Sequence, residues 1–205
     1  MPLRNRVGPD GLITDAPVRG LFTGNRGILH DADKVMGPAL WKHRAWICCT
    51  LDWQGRKRDV MTGRNWTELF FLDEAVALAA GHRPCAYCRR AAYTRFMDSW
   101  QAATGTRPKA PDADRILHAT RALRGARRLQ THRALADTLP DGAFVAGPHL
   151  IIGDAALPYT PAGYASPIQR PKGEITVLTS PRMLAVLRGG YAPQLHPTVQ
   201  NPLFP

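Results

Sequence analysis

The chain has 205 residues, of which 44% are hydrophobic, and a formal net charge of +11. Its length suits one large domain or one domain with a small appendage, and its apolar content excludes global disorder. It has no apolar run of membrane-spanning length and no apolar signal core at the N-terminus, which predicts a cytoplasmic protein without membrane contact. The positive charge predicts DNA or RNA as a partner, and a merely basic surface is the alternative.

The first part of the chain predicts short extended elements. Residues 1–40 are rich in Gly, Asp and Pro, and segment 19–31 predicts a short strand with a turn. Segment 41–53 is rich in aromatic and β-favouring residues and predicts a strand. A second, rougher strand is predicted over 59–71.

Helices are predicted in the middle of the chain. Segment 72–81 predicts a helix with Asp73 and Glu74 in its first turn, where they favour the positive end of the dipole, and with Gly81 as its stop. A longer helix is predicted from about 85 to 103, and 104–112 reads as a linker. A basic helix follows over 113–139, in which Gly125 is a candidate bend.

The final third is predicted to be mainly β. Two short strands surround a Gly-Pro turn in 141–153, a proline-rich loop covers 157–173, and a strand and a short helix follow from 174. The sequence thus predicts an α+β fold: a small mixed sheet with helices stapled by a structural zinc, then the basic helix and a small β-rich part. Regions 1–103 and 113–205 either fold separately or pack as one unit.

The chain carries a C-x-x-C motif, Cys85 and Cys88, directly after Pro84. Two thiolates on so short a loop can chelate one tetrahedral ion, which predicts bound Zn2+. The contiguous Cys48 and Cys49 are the best candidates to complete a four-ligand site. Adjacent strand residues point to opposite faces, so either a bulge lets both bind or one binds and a histidine replaces the other.

The histidine candidates for that replacement are His43, then His30 and His82. Two other interpretations of the cysteines stay open. A thioredoxin-like redox pair requires a strand before the motif, whereas a helix is predicted there. Buried cysteines can also act simply as small hydrophobic residues.

The stretch LDEAVALAAGHRPCAYCRRAAY, residues 72–93, resembles the Ada-type zinc-binding domain, the N-terminal module of bacterial methylphosphotriester-repair proteins. The matching positions are Glu74, Ala75, Ala79 or Ala80, Gly81, Arg83, Pro84, Cys85, Cys88 and Arg89. The resemblance implies a small α+β fold stapled by zinc, with Cys85 and Cys88 as two ligands, and a setting in DNA repair.

The sequence departs from that family upstream of the motif. The family's other two cysteines are separated by three residues, whereas Cys48 and Cys49 are contiguous. The resemblance therefore implies the fold and not the methyl-transfer reaction. The chain as a whole also resembles a group of bacterial proteins that carry the stretches ELFFLDEA and AGHRPC.

Basic residues near the motif and along the basic helix are candidate phosphate contacts, with a solvated charged face as the alternative. They are Arg89, Arg90, Arg121, Arg124 and Arg128. His30 and Asp31 are candidates for a general base or a divalent-metal site.

Three function classes follow from these observations. The first is a zinc-binding, nucleic-acid-binding protein linked to DNA repair or processing, in which zinc is mainly structural. The second is a metal-dependent enzyme acting on nucleic acid, either a nuclease or a base- or phosphate-modifying enzyme. The third is an interaction module without nucleic acid.

Overall fold

The computed structural model describes residues 2–55, 59–63, 65–123, 125 and 128–199. It contains two β-sheets and four α-helices, so the predicted α+β class is confirmed. Within these residues, none of the helices combines the length and the apolar character needed to cross a bilayer.

The first sheet is mixed and holds the cysteines. Its strands are β1 (Arg6–Val7), β2 (Ile13–Thr14), β3 (Phe22–Asn25), β4 (Ile47–Thr50), β5 (Leu69–Phe71) and β6 (Arg83–Pro84), in the order β2-β1-β5-β3-β4-β6. Strand β4 pairs antiparallel with β3 and parallel with β6. The strands predicted over 41–53 and 59–71 exist but are shorter, because turns such as the left-handed backbone at Met61 (φ 55°) interrupt them.

The second sheet is built entirely from the C-terminal part. Its strands are β7 (His132–Leu135), β8 (Phe144–Val145), β9 (His149–Ile152), β10 (Ala155–Thr160), β11 (Gly163–Tyr164), β12 (Ile168–Gln169) and β13 (Glu174–Val177). The loop predicted over 157–173 is wrong, since β10 runs through Pro158 and pairs with three strands. Proline fits because its carbonyl is used at this position, where it accepts from the Ala165 N–H (2.9 Å).

Four helices pack against these sheets: α1 (Glu74–Ala79), α2 (Arg90–Thr104), α3 (Ala110–Arg121) and α4 (Pro181–Arg188). The predicted stop of α1 is confirmed, because Gly81 follows its C-cap with φ 87°. Helix α2 begins at Arg90 rather than near 85, since the C-x-x-C segment forms a separate turn.

The helix predicted over 113–139 is wrong beyond Arg121. Ala122 instead forms a β-bridge with Leu129, and the chain then enters strand β7. Every residue of β7 is paired with β13, for example Arg133 with Thr176. Long-range strand pairing here overrides a local helical pattern.

Two hydrophobic cores lie between these layers. Leu69 of the first sheet and Phe144 of the second belong to one core, and Trp100 of α2 and Leu184 of α4 belong to the other. Each core thus combines residues from both sides of the predicted linker 104–112.

Candidate metal centre

Three thiols meet at the edge of the first sheet. The sulfur atoms of Cys49, Cys85 and Cys88 all lie within 4.8 Å of one another. Cys49 lies on β4, and Cys85 directly follows β6, the parallel neighbour of β4. Because Cys48 is in register with Pro84, the next residues on both strands, Cys49 and Cys85, share one face of the sheet. Cys88 is added by the turn that leads to α2.

Backbone hydrogen bonds hold the C-x-x-C turn. The Cys85 N–H donates to the Cys48 carbonyl (2.9 Å) and extends the pairing of β4 and β6. The Arg89 N–H donates to the Cys85 carbonyl (3.2 Å) and closes the turn. The Tyr87 N–H points at the Cys85 sulfur (3.4 Å). Amide donors aimed at sulfur favour the thiolate, which is the form that binds metals.

The three thiols change one another's protonation. Hydrogen bonds from Cys49 and Cys88 lower the pKa of Cys85, and burial opposes this shift. Hydrogen bonding to Cys85 and Cys88, together with burial, raises the pKa of Cys49. Metal binding requires the thiolate form, so a thiophilic cation bound by these sulfurs replaces their protons.

Cys48 faces the other side of β4 and is fully buried in the first core. The pairing with β3 is regular, with Gly24 opposite Cys48 and Thr23 opposite Cys49, so no bulge turns both sulfurs the same way. Arg89 Nη1 donates to the Cys48 sulfur (3.4 Å), and burial raises the pKa of this thiol. The structure thus brings Cys49, and not Cys48, to the C-x-x-C cysteines.

Arg89, predicted to contact phosphates, is instead part of a buried ion pair. Its Nη1 lies 2.7 Å from Glu74 Oε1, and its side chain is only 9% exposed. Its guanidinium lies 4.3 Å from the centre of the Phe22 ring. Glu74 also accepts from the Tyr191 hydroxyl (2.6 Å) and the Gln194 N–H (2.9 Å). The turn directs the Arg89 side chain toward α1, where Glu74 is its partner.

Arg121, the second predicted phosphate contact at a helix, is also buried. Its guanidinium lies 4.1 Å from the centre of the Trp46 ring and donates to the carbonyl oxygens of Gly81 and Arg44. A Cβ on Gly81 would lie 2.5 Å from Arg121 Cδ, so this glycine permits the close approach. The guanidinium of Arg26 also lies over Trp46, 4.5 Å from the centre of its ring. Burial lowers the pKa of Arg121. The Arg121 side chain packs on Trp46 in the interior rather than facing solvent.

The remaining predicted phosphate contacts have different positions. Arg90 and Arg128 are exposed to solvent. Arg124 lies outside the described residues.

None of the three candidate histidines lies in the thiol cluster. His43 is exposed, and its carbonyl accepts from the Trp46 indole N–H (2.8 Å). His30 Nδ1 is hydrogen-bonded to Thr67 Oγ1 (2.6 Å). His82 is buried, and its Nε2 accepts a hydrogen bond from Arg26 Nε (3.3 Å).

The candidate catalytic pair His30 and Asp31 lies in a separate loop. Asp31 Oδ1 accepts from the backbone N–H groups of Asp33 (3.0 Å) and Val35 (2.9 Å), so this carboxylate shapes its own loop. In the described part of the chain, the thiol cluster is the one grouping of three or more potential metal ligands, and neither residue belongs to it.

Sequence reasoning missed the buried partners of the two acidic residues at the start of α1. Asp73 caps the helix through the Val76 N–H (2.9 Å) and also accepts from the Tyr164 hydroxyl (2.8 Å) and the His196 N–H (3.0 Å). Burial raises the pKa of Asp73. Asp73 and Glu74 therefore fasten α1 to the C-terminal part. The sequence predicts acidic residues at the start of this helix, but partners some ninety residues away carry no local signal.

No family model, curated protein or solved structure matches the chain. The resemblance to the Ada-type domain therefore stays a prediction.

Proposed function

We propose that this protein binds one Zn2+ through Cys49, Cys85 and Cys88 and binds nucleic acid, in a setting of DNA repair or processing. The observation that carries the proposal is the convergence of three free thiols from separate elements of the chain. Zinc is mainly structural in this proposal, because it joins segments that are distant in sequence.

The spacing of the sulfurs fits zinc. Zn–S bonds of about 2.3 Å place two sulfur ligands of a tetrahedral ion about 3.8 Å apart. The three sulfurs already lie within 4.8 Å of one another, so only small side-chain rotations are required. When bound, zinc supplies a redox-inert cross-link between strand β4 and the turn before α2. The ligands come together only in the folded chain, so binding stabilises the fold.

The nucleic-acid part of the proposal is supported by charge. The chain carries a net charge of +11, and phosphate contacts are the main source of non-specific affinity. Arg90 stands exposed at the start of α2, two residues beyond Cys88, and Arg128 is exposed in the connection that follows α3. The buried Arg89 and Arg121 are excluded from this role in the proposal.

The proposal is tested by metal analysis and by binding to duplex DNA. We expect about one zinc per chain and low-micromolar, weakly sequence-selective binding that weakens as salt rises. A chain that holds no metal after purification with zinc contradicts the first part. Affinity that does not change between low and physiological salt contradicts the second.

One observation favours a second candidate, the metal-dependent enzyme acting on nucleic acid. Catalytic zinc sites commonly have three protein ligands, which is the number in this cluster. The test is to incubate zinc-loaded protein with DNA and RNA and to compare products with those of Cys49→Ser. Turnover that is lost in this variant supports an enzyme.

Methyl transfer from methylated backbone phosphates is not expected. Three thiolates and one Zn2+ carry a net charge of −1, compared with −2 for four thiolates, which makes each sulfur a weaker nucleophile. Cys48, which would raise that charge, is buried on the other face of β4. Mass spectrometry after incubation with such DNA should show no gain of one methyl group. A stoichiometric gain on Cys49 would contradict this expectation.

A further inference from the structure

The chain offers three ligands to an ion that usually takes four. Within residues 2–55, 59–63, 65–123, 125 and 128–199, no fourth His, Cys, Asp or Glu joins the cluster. The other positions of the sequence contain none of these four residue types. Cys48, the nearest cysteine in sequence, points into the core and accepts from Arg89.

The cluster has a solvent-accessible side. Cys85 is buried, whereas Cys49 and Cys88 are both partly exposed. Tyr87, between the two motif cysteines, is 64% exposed, and its ring centre lies 5.4 Å from that of Trp53. Because Tyr87 lies between the two motif cysteines in the sequence, this aromatic pair is a candidate contact for the carbon skeleton of a small ligand.

We propose that the metal centre keeps one coordination position for an exogenous thiolate, supplied by a small cysteine-like thiol. The inference rests on the proposed zinc binding. A set of thiolate ligands is soft and matches a further sulfur better than a carboxylate. Addition of a fourth thiolate completes the four-sulfur set that structural zinc sites favour. The thiol gives its proton to solvent as its sulfur takes the fourth position.

The charge of the chain permits this addition. Zn2+ with four thiolates carries a net charge of −2, and this centre lies in a protein of net charge +11. The exposed Arg90, two residues beyond Cys88, can pair with the carboxylate of an amino-acid thiol.

The test uses the full chain loaded with Co(II) under anaerobic conditions, because Co(II) replaces zinc and reports thiolate ligands by its absorption. Titration with L-cysteine should raise the thiolate-to-metal absorption by roughly one third, from three sulfurs to four, and saturate at one L-cysteine per chain. L-serine, the matched ligand with oxygen in place of sulfur, should leave the spectrum unchanged.

Two variants locate the added ligand. Tyr87→Ala removes the exposed ring and should weaken the L-cysteine response several-fold without changing cobalt stoichiometry. Cys48→Ser should keep both the three-sulfur spectrum and the response.

The outcomes separate the two proposals. Cobalt that binds with an unchanging spectrum overturns the open position and leaves the metal site intact. A four-sulfur spectrum before addition, reduced by Cys48→Ser, also overturns it. Failure to bind cobalt or zinc overturns both proposals.

Discussion

Strand β4 carries one cysteine on each face, and the two cysteines have different surroundings. On one face, the sulfur of Cys49 lies within 4.8 Å of two other thiols and is partly exposed. On the other face, the sulfur of Cys48 is fully buried and accepts from Arg89, which is paired with Glu74. A cysteine can bind metal here only where the pleat turns it toward other sulfurs. Adjacency in sequence therefore separates functions rather than combining them.

The largest loss of stability is expected from substituting a cysteine of the cluster formed by Cys49, Cys85 and Cys88. Cys85→Ser removes the sulfur that lies within 4.8 Å of those of Cys49 and Cys88 and that accepts from the Tyr87 N–H. Metal-binding free energy on the order of 10 kcal/mol should be lost, and the chain should melt at a lower temperature or aggregate. Calorimetry of the parent chain and of Cys85→Ser, with and without a chelator, measures the change in melting temperature. A metal-free chain with an unchanged melting temperature would show that the thiols do not support the fold through a metal.

Removing the ion pair on the Cys48 side of β4 should destabilise the chain without releasing metal. Glu74→Gln leaves the largely buried Arg89 without its carboxylate and should cost about 3–5 kcal/mol in urea unfolding. One metal per chain should remain. Glu174→Gln is the matched control, since its partner Arg133 is exposed and the pair is worth about 1 kcal/mol or less. Equal losses in both variants would contradict the buried ion pair.

Tyr191, whose hydroxyl donates to Glu74, should make a smaller and pH-dependent contribution to stability. Tyr191→Phe removes a hydrogen bond to a charged carboxylate and should cost about 1.5–3 kcal/mol at neutral pH. Burial and the neighbouring Glu74 raise the pKa of Tyr191 above its value in the unfolded chain, about 10. Stability from this group is therefore complete below pH 10 and is lost as pH rises toward the folded-state pKa.

Unfolding at a series of alkaline pH values measures this difference. Tyr191→Phe should lose stability less steeply than the parent chain above about pH 10. Parallel curves would mean that Tyr191 does not titrate differently in the folded and unfolded states.

The smallest effect concerns the exposed arginines. Replacement of Arg90 and Arg128 by Ala should weaken DNA binding and lower the salt slope by up to about two, one for each lost phosphate contact. Arg115→Ala with Arg133→Ala removes the same charge at sites paired with Asp112 and Glu174, and should change the slope less. Fluorescence anisotropy over a range of salt concentrations measures both. Equal slopes in the two double variants would place phosphate contacts elsewhere.

Local patterns predicted the features that local forces determine. Three features depend on neighbouring residues: the C-x-x-C motif, the stop of α1 before Gly81, and the alternation of side chains along β4. These were enough to predict that contiguous cysteines would face opposite ways if no bulge intervened.

Features that depend on distant partners were not predictable from the sequence. Arg89 and Arg121 look like surface arginines in a basic sequence. The burial of Arg89 depends on its ion pair with Glu74 of the preceding helix. The burial of Arg121 depends on the carbonyls of Gly81 and Arg44, which are 40 and 77 residues away. The end of α3 depends in the same way on the pairing of β7 with β13.

The central claim is that Cys49, and not Cys48, joins Cys85 and Cys88 at the metal. The most direct measurement is the metal content of purified Cys48→Ser and Cys49→Ser, two isosteric changes at adjacent residues. The structure predicts about one metal per chain in Cys48→Ser, where the hydroxyl can still accept from Arg89, and strongly reduced metal in Cys49→Ser. Loss of metal from Cys48→Ser with retention in Cys49→Ser would contradict the account.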